Sequence, residues 1–212
     1  MRQLDNFPHV PPGKRVFLSG RTGTGKSYLA RWLAERSKSQ PWIILNPKNT
    51  EAFKDFGVKV YKIDMKKIID LLRKGQNVNL IPDPIYCDAD TLDAIIFDLC
   101  NSLKNFGIII DEAYTLHKGG RCGVGLTALL TRGRELKQSC IMCAQRPAWL
   151  SGFCISEADY IASLRLTIEE DRIRIAKASG YAEFQDLNLG EHDWIWYDVA
   201  KEKVRFFEPI SI

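Results

Sequence analysis

Residues 20–27 read GRTGTGKS, between the apolar run RVFLS (15–19) and the helical pattern KSYLARWLAERSK (26–38). The stretch fits G-x-x-x-x-G-K-[ST] and stands where that motif has to stand, after a strand and at the start of a helix. Glycines let the backbone turn so that successive N–H groups face one point, and a helix N-terminus adds partial positive charge there. Lys26 is then placed to reach β- and γ-phosphates, and Ser27 to offer its hydroxyl to Mg²⁺. A chance match in a chain of this size is on the order of 1%. We therefore read a nucleoside triphosphate site built from Gly20, Arg21, Thr22, Gly23, Thr24, Gly25, Lys26 and Ser27, with Tyr28 directly behind.

Outward from the loop, strands alternate with helices. Strands are predicted in WIIL (42–45), VKVYKI (58–63), NVNLIPDP, FGIIIDEAY (106–114), SCIMCAQRP (139–147) and DYIASLRLT. Helices are predicted over 26–38, where Leu29, Trp32 and Leu33 share a face, and over 65–75, 88–105, 123–138 and 168–180. Gly75 stops the second, and Asp90 or Thr91 is placed to cap the third. Such alternation implies an α/β fold, a mostly parallel sheet with helices on both faces. Residues 193–209 read as a C-terminal antiparallel hairpin and 1–14 as an N-terminal extension, all within a single domain of 212 residues.

Composition sets wide bounds: 45% hydrophobic and 26% charged residues suit an ordinary globular domain, and a net charge of +4 permits a polyanionic partner without demanding one. No window approaches the roughly 18 apolar residues of a membrane span, and none has signal-peptide form, so a cytoplasmic protein is expected. Cys87, Cys100, Cys122, Cys140, Cys143 and Cys154 lack disulfide-framework spacing, which suits a reducing compartment. The CxxC at 140–143 lies in a strand, where residues three apart point to opposite faces, so both thiols are expected to be buried and not to share a metal.

Phosphoryl transfer needs a metal and a positioned nucleophile as well as a phosphate cradle. GIIIDEAY supplies Asp111 to hold Mg²⁺ and Glu112 to polarise an attacking water. CAQRP then places Gln145 at a strand tip, where it can touch the γ-phosphate. A glutamate after the aspartate points to hydrolysis.

With these three elements in order, the run TRGRELKQSCIMCAQRPAWLSGFCISEADYIASLRLTIEEDRIRIAKASG (131–180) resembles the second half of the FtsK/HerA motor domain, and the resemblance covers roughly residues 15–208. It implies a RecA/FtsK-like P-loop NTPase that assembles into a pentameric or hexameric ring, uses ATP and Mg²⁺, and pumps double-stranded DNA. Lys26 and Ser27 would bind triphosphate and metal, Asp111 the metal, Glu112 the water and Gln145 the γ-phosphate. A finger arginine from the neighbouring subunit, worth about 10³ to 10⁵ in rate in related enzymes, would be Arg132 or Arg134 on the helix before the sensor strand, with Arg165 and Arg146 as alternatives. The membrane-spanning, β-barrel and winged-helix parts of cellular branches are not seen here. A bare motor is expected, similar to the packaging ATPases of tailless viruses with an internal membrane, with capsid or portal proteins as partners.

HKGGRCG (117–123) is read as a loop in which Lys118 and Arg121 meet DNA phosphates, or as a plain surface loop. His9, His117 and His192 have no partner at ligand spacing and are expected to be structural or solvated. Trp194 and Trp196 are expected to pack across a sheet rather than stack on bases. Two other classes share parts of the pattern. A small-molecule kinase would need an arginine-rich lid, and a Zot-like phage assembly ATPase usually carries a membrane span.

Overall fold

The computed structural model describes residues 7–118 and 121–210. In chain order the elements are β1 (Arg15–Ser19), α1 (Lys26–Arg36), β2 (Trp42–Leu45), β3 (Val58–Val60), α2 (Met65–Arg73), β4 (Val78–Leu80), α3 (Ala89–Ser102) and β5 (Phe106–Ile110). There follow β6 (His117–Lys118), β7 (Arg121–Cys122), α4 (Val124–Arg132), β8 (Gln138–Ala144), α5 (Gly152–Ser156), β9 (Tyr160–Leu164), α6 (Glu169–Ser179), β10 (Trp194–Asp198) and β11 (Lys203–Phe207).

Every residue of β1, β2, β5 and β8 is buried, which requires cover on both faces. The described strands form one nine-stranded sheet in the order β11-β10-β9-β1-β8-β5-β2-β4-β3, plus the small pair β6-β7. From β9 to β3 every pairing is parallel, whereas β10 runs antiparallel to both β9 and β11. The α/β fold with its C-terminal hairpin is thus the one the alternation implied.

Two apolar layers follow from the period of two along the strands. Phe17, Ile108, Ile110, Cys140 and Met142 face a layer made with α2 to α6. Val16, Leu18, Ile109, Ile141 and Cys143 face the other, closed by Leu29, Ala30 and Leu33 of α1 and by Val10, Phe53, Trp194 and Trp196. Cys140 and Cys143 therefore lie on opposite sides of the sheet, fully buried. Burial pushes the Cys140 thiol up to about 12. The two tryptophans of β10 are packed as expected: Trp194 stacks on Phe207 at 4.3 Å and Trp196 on Tyr160 at 4.7 Å.

Some boundaries differ from the sequence reading. The cap of α3 is Asp88, whose carboxylate accepts from the Thr91 backbone N–H at 2.9 Å and its hydroxyl at 2.7 Å, so neither Asp90 nor Thr91 caps it. Helix α4 stops at Arg132 because the Gly133 carbonyl turns to accept from Gln138 N at 2.8 Å. A Cβ on Gly133 would sit 2.3 Å from the Leu129 carbonyl oxygen. Arg134 accordingly lies in a turn and not on the helix. HKGGRCG is a hairpin rather than a loop, pairing His117 with Cys122 and Lys118 with Arg121. Gly119, Gly120 and the Lys118 side chain lie outside the described residues, as do residues 1–6 of the expected extension and Ile212 with Ser211.

Sheet closure at one point depends on a missing side chain. Gly107 pairs with Trp42, and a Cβ there would fall 2.2 Å from the indole carbon Cε3. The indole cannot move aside freely, since its Nε1 donates to the Ser37 carbonyl at 3.2 Å in a buried site. Gly107→Ala should cost about 1–3 kcal/mol of overpacking. Thermal unfolding checks this: a melting temperature several degrees lower is expected, and an unchanged one would show that the ring yields.

Candidate nucleotide site

The carboxyl ends of β1, β8 and β5 lie side by side, because β8 is inserted between the other two. The phosphate loop leaves β1, Gln145 leaves β8, and Asp111 leaves β5. Chain order alone would not place the glutamine in the middle.

The loop itself is a turn that side chains would obstruct. Gly23 and Gly25 adopt φ of 83° and 91°, the left-handed region that favours glycine. A Cβ on Gly20 would come within 2.7 Å of Thr24 Oγ1, which donates instead to the Arg21 carbonyl at 2.8 Å. Gly25 then caps α1 with no side-chain partner, leaving the first N–H groups of an eleven-residue helix to a ligand. Lys26 is 6% exposed despite its charge.

Asp111 and Ser27 face one another: the serine hydroxyl donates to both carboxylate oxygens, at 3.2 and 3.3 Å. Burial raises the Asp111 carboxyl above its ordinary range; Lys26 and Ser27 oppose this, while Glu112 acts in the same sense as burial. A buried carboxylate short of positive charge, with a hydroxyl beside it, is a hard oxygen pair that fits Mg²⁺.

Glu112 takes an unusual backbone, with φ of 64°, a conformation that costs roughly 1–3 kcal/mol for a residue with a Cβ. Its carboxylate is held on both sides. Gln145 Nε2 donates to Oε1 at 2.7 Å, while Tyr114 donates to Oε2 at 3.1 Å and Lys48 pairs with the same oxygen. Hydrogen bonds to a charged group contribute about 1.5–3 kcal/mol each where buried, enough to offset the strain even though the Lys48 side chain is 61% exposed and its pair is discounted accordingly. The other end of Gln145 accepts from Thr22 Oγ1 of the phosphate loop at 2.8 Å. One hydrogen-bonded chain, Thr22–Gln145–Glu112, therefore links the loop to the acid.

The sequence motifs single out neither Lys48 nor Tyr114, and both sit on Glu112. The signal for Lys48 is its place just beyond β2, the strand next to β5, at the same sheet edge. Burial opposes a charged Lys48, but the Glu112 hydrogen bond and charge outweigh it and raise its pKa. Asp111, Glu112 and Lys48 open on a cleft of about 340 Å³. On the far side of the phosphate loop, Gly25, Tyr28, His192 and Pro209 line a second cleft of about 230 Å³. His192 is exposed, yet its Nδ1 donates to the Thr24 carbonyl at 3.0 Å, so it is tied to the loop rather than merely solvated. His9 is exposed to solvent, as expected.

The four arginines considered for a neighbouring site are dispersed. Arg134 pairs with Asp159 at 3.1 Å, at the amino end of β9 and so at the opposite sheet edge. Arg146 is held by Asp171 at 2.8 Å and lies over the Trp149 ring at 4.7 Å. Arg132 is exposed at the end of α4, and Arg165 is exposed where β9 ends beside the phosphate loop, its carbonyl accepting from Arg21 N at 3.2 Å. His117 is the clearest departure from the sequence reading: it does have partners, Cys122 and Cys154, both about one hydrogen bond away.

A sheet with this strand order, and this constellation at its carboxyl edge, is that of a P-loop ATPase of the FtsK/HerA type. Solved structures share the fold. The genome packaging NTPase B204 of Sulfolobus turreted icosahedral virus 2, in complex with AMPPCP, superposes with a TM-score of 0.75 at 21% identity, covering 94% of this chain and 100% of that one. VirB4 of Thermoanaerobacter pseudethanolicus gives 0.64 at 11% identity, covering 94% and 89%. In sequence, DNA packaging ATPase P9 of Enterobacteria phage PRD1 is 30% identical over 164 residues, 75% of this chain and 67% of that protein. The chain belongs to this family of viral DNA-packaging ATPases. No protein-family model matches it. Among the described residues no helix is long and apolar enough to cross a membrane.

A carboxyl whose native pKa exceeds its unfolded value favours the folded state at low pH and loses that contribution as pH rises through the native value. Asp111→Asn, neutral throughout, should raise the melting temperature of the nucleotide- and metal-free protein near neutral pH, and the gain should vanish below the ordinary carboxyl range of about 4. Calorimetry across pH checks this; a gain that does not change with pH would contradict it.

Proposed function

We propose that this chain is the motor that drives double-stranded DNA into a viral capsid, hydrolysing ATP as it does so. The reading rests above all on Glu112, a base one hydrogen bond from Gln145 and two from the phosphate loop. A kinase would need a base directed at an acceptor hydroxyl; here the base stands in the wall of a water-accessible cleft. Duplex DNA as the load comes from the family, in which P9 is named a DNA packaging ATPase.

In this reading Lys26 and the N–H groups of residues 20–27 bind the phosphates, and the base of ATP lies in the cleft of Tyr28, His192 and Pro209. Ser27 and Asp111 would hold Mg²⁺, which when bound would supply positive charge to neutralise the phosphates. Glu112 accepts a proton from the water whose oxygen attacks the γ-phosphorus; the bond to the β-phosphate oxygen breaks and ADP leaves. Glu112 Oε1 accepts from Gln145, and its Oε2 is held by Tyr114 and Lys48. A γ-phosphate bound beside Thr22 lies next to Gln145, so this glutamine orients the base where the substrate is. This makes Gln145 the reporter of bound triphosphate.

The chain acts as one motor unit of a homo-oligomeric ring, five- or six-membered, docked on capsid or portal-vertex proteins and working in the host cytoplasm. Of the arginines considered, Arg134 and Arg146 are committed to aspartates. Arg165, at the nucleotide edge of the sheet, and Arg132 are the ones whose guanidinium groups make no ion pair among the described residues, and Arg165 is the better placed to serve a neighbouring site. The hairpin after Glu112, with exposed Arg121 and with Lys118, meets DNA phosphates without reading bases.

Steady-state ATP turnover with and without linear duplex DNA tests this. Turnover should rise with DNA, and the rise should fade with salt as phosphate contacts are screened; the Glu112→Gln protein should bind ATP and show neither basal nor stimulated turnover. A rate indifferent to DNA in assembled rings, or full turnover in the variant, would overturn the proposal.

A further inference from the structure

The β6–β7 hairpin places His117 directly opposite Cys122, on one face, and α5 brings the buried Cys154 to the same point. The three side-chain atoms form a compact triangle. His117 Nε2 lies 3.4 Å from Cys122 Sγ and 3.5 Å from Cys154 Sγ, and the two sulfurs are 3.4 Å apart. The only metal-ligating cluster of this kind among the described residues is this one.

The geometry points to a zinc site formed by His117, Cys122 and Cys154, clamping the hairpin to α5. Around a tetrahedral zinc with bonds of about 2.3 Å to sulfur and about 2.05 Å to nitrogen, ligand atoms stand roughly 3.8 Å apart for two sulfurs and roughly 3.6 Å for sulfur and nitrogen. The triangle is within a few tenths of an ångström of that without any backbone movement. A second feature sets it apart from chance proximity. The other ring nitrogen, Nδ1, donates to the Ala113 carbonyl at 2.9 Å, fixing the tautomer whose Nε2 lone pair faces the sulfurs. That backbone anchor is the usual companion of a metal-bound histidine.

Two thiols beside an imidazole suit a soft divalent cation, which binds them as thiolates and releases their protons. Three protein ligands leave the fourth corner to water, on the half-exposed side of His117 and Cys122.

What zinc would secure is the segment between two catalytic strand ends. Ala113, which anchors His117, follows Glu112 directly, and α5 lies in the connection after Gln145. The clamp thus braces the hairpin that carries Arg121 against the connection leading from the sensor strand, independently of whether the site hydrolyses ATP.

The test is metal analysis of the full chain purified in reducing buffer without chelators. About one zinc per chain is expected for the wild type, and a mercurial thiol reagent should release it in step with the modification of two thiols. Cobalt reconstitution should give the visible absorption of a tetrahedral thiolate site. His117→Ala and Cys154→Ser should each lose the metal, and because either may fold poorly, the wild-type release measurement stands on its own. A protein that stays metal-free after incubation with zinc, or a Cys122–Cys154 disulfide in place of the metal, would overturn the proposal.

Discussion

Everything at the nucleotide edge depends on the insertion of β8 between β1 and β5. Parallel strands end at one edge of a sheet, so whatever follows each of them is gathered there; the order along that edge is set by pairing, not by sequence. With β8 in the centre, Gln145 is the side chain that can touch both the phosphate loop and the acid pair, and it does so through Thr22 and Glu112. The buried cores of all three strands, apolar on both faces, hold this register against the repulsion of two adjacent carboxylates.

The chain's own groups leave charge at the site unbalanced. Asp111 is buried with less positive charge than it needs, and Glu112 is held in a left-handed conformation by three donors. A buried carboxylate and a left-handed glutamate cost stability that functional sites commonly give up. Under the proposed function, metal and triphosphate would complete it from opposite sides: cation on Asp111 and Ser27, anion on Lys26 and the loop amides. Under the proposed function, coupling would need no long path, since the base that takes the water's proton and the loop that binds phosphate share one glutamine.

The fold was largely legible because period-two burial and strand–helix alternation are strong signals, and because GRTGTGKS, the acid pair and QRP each stand at a strand end. Boundaries were less so. The end of α4 turns on how Gly133 packs against Leu129 and pairs with Gln138, a tertiary matter, and Asp88 rather than Asp90 caps α3 because only its side chain reaches Thr91 N. Lys48 lies far from Glu112 in sequence and meets it through the pairing of β2 with β5. The His117 cluster was missed because Cys154 lies 37 residues away, although the GG pair between HK and RC was a hairpin signal that would have set His117 across from Cys122.

The most direct test of the coupling is a comparison of ATP affinity with single-turnover cleavage in Gln145→Ala. If this glutamine transmits the presence of the γ-phosphate to Glu112, the variant should bind ATP about as well as the wild type and cleave it at least roughly tenfold more slowly, a barrier change of about 1.4 kcal/mol. Affinity lost in full with cleavage of bound ATP unchanged would assign Gln145 to binding alone and contradict the account.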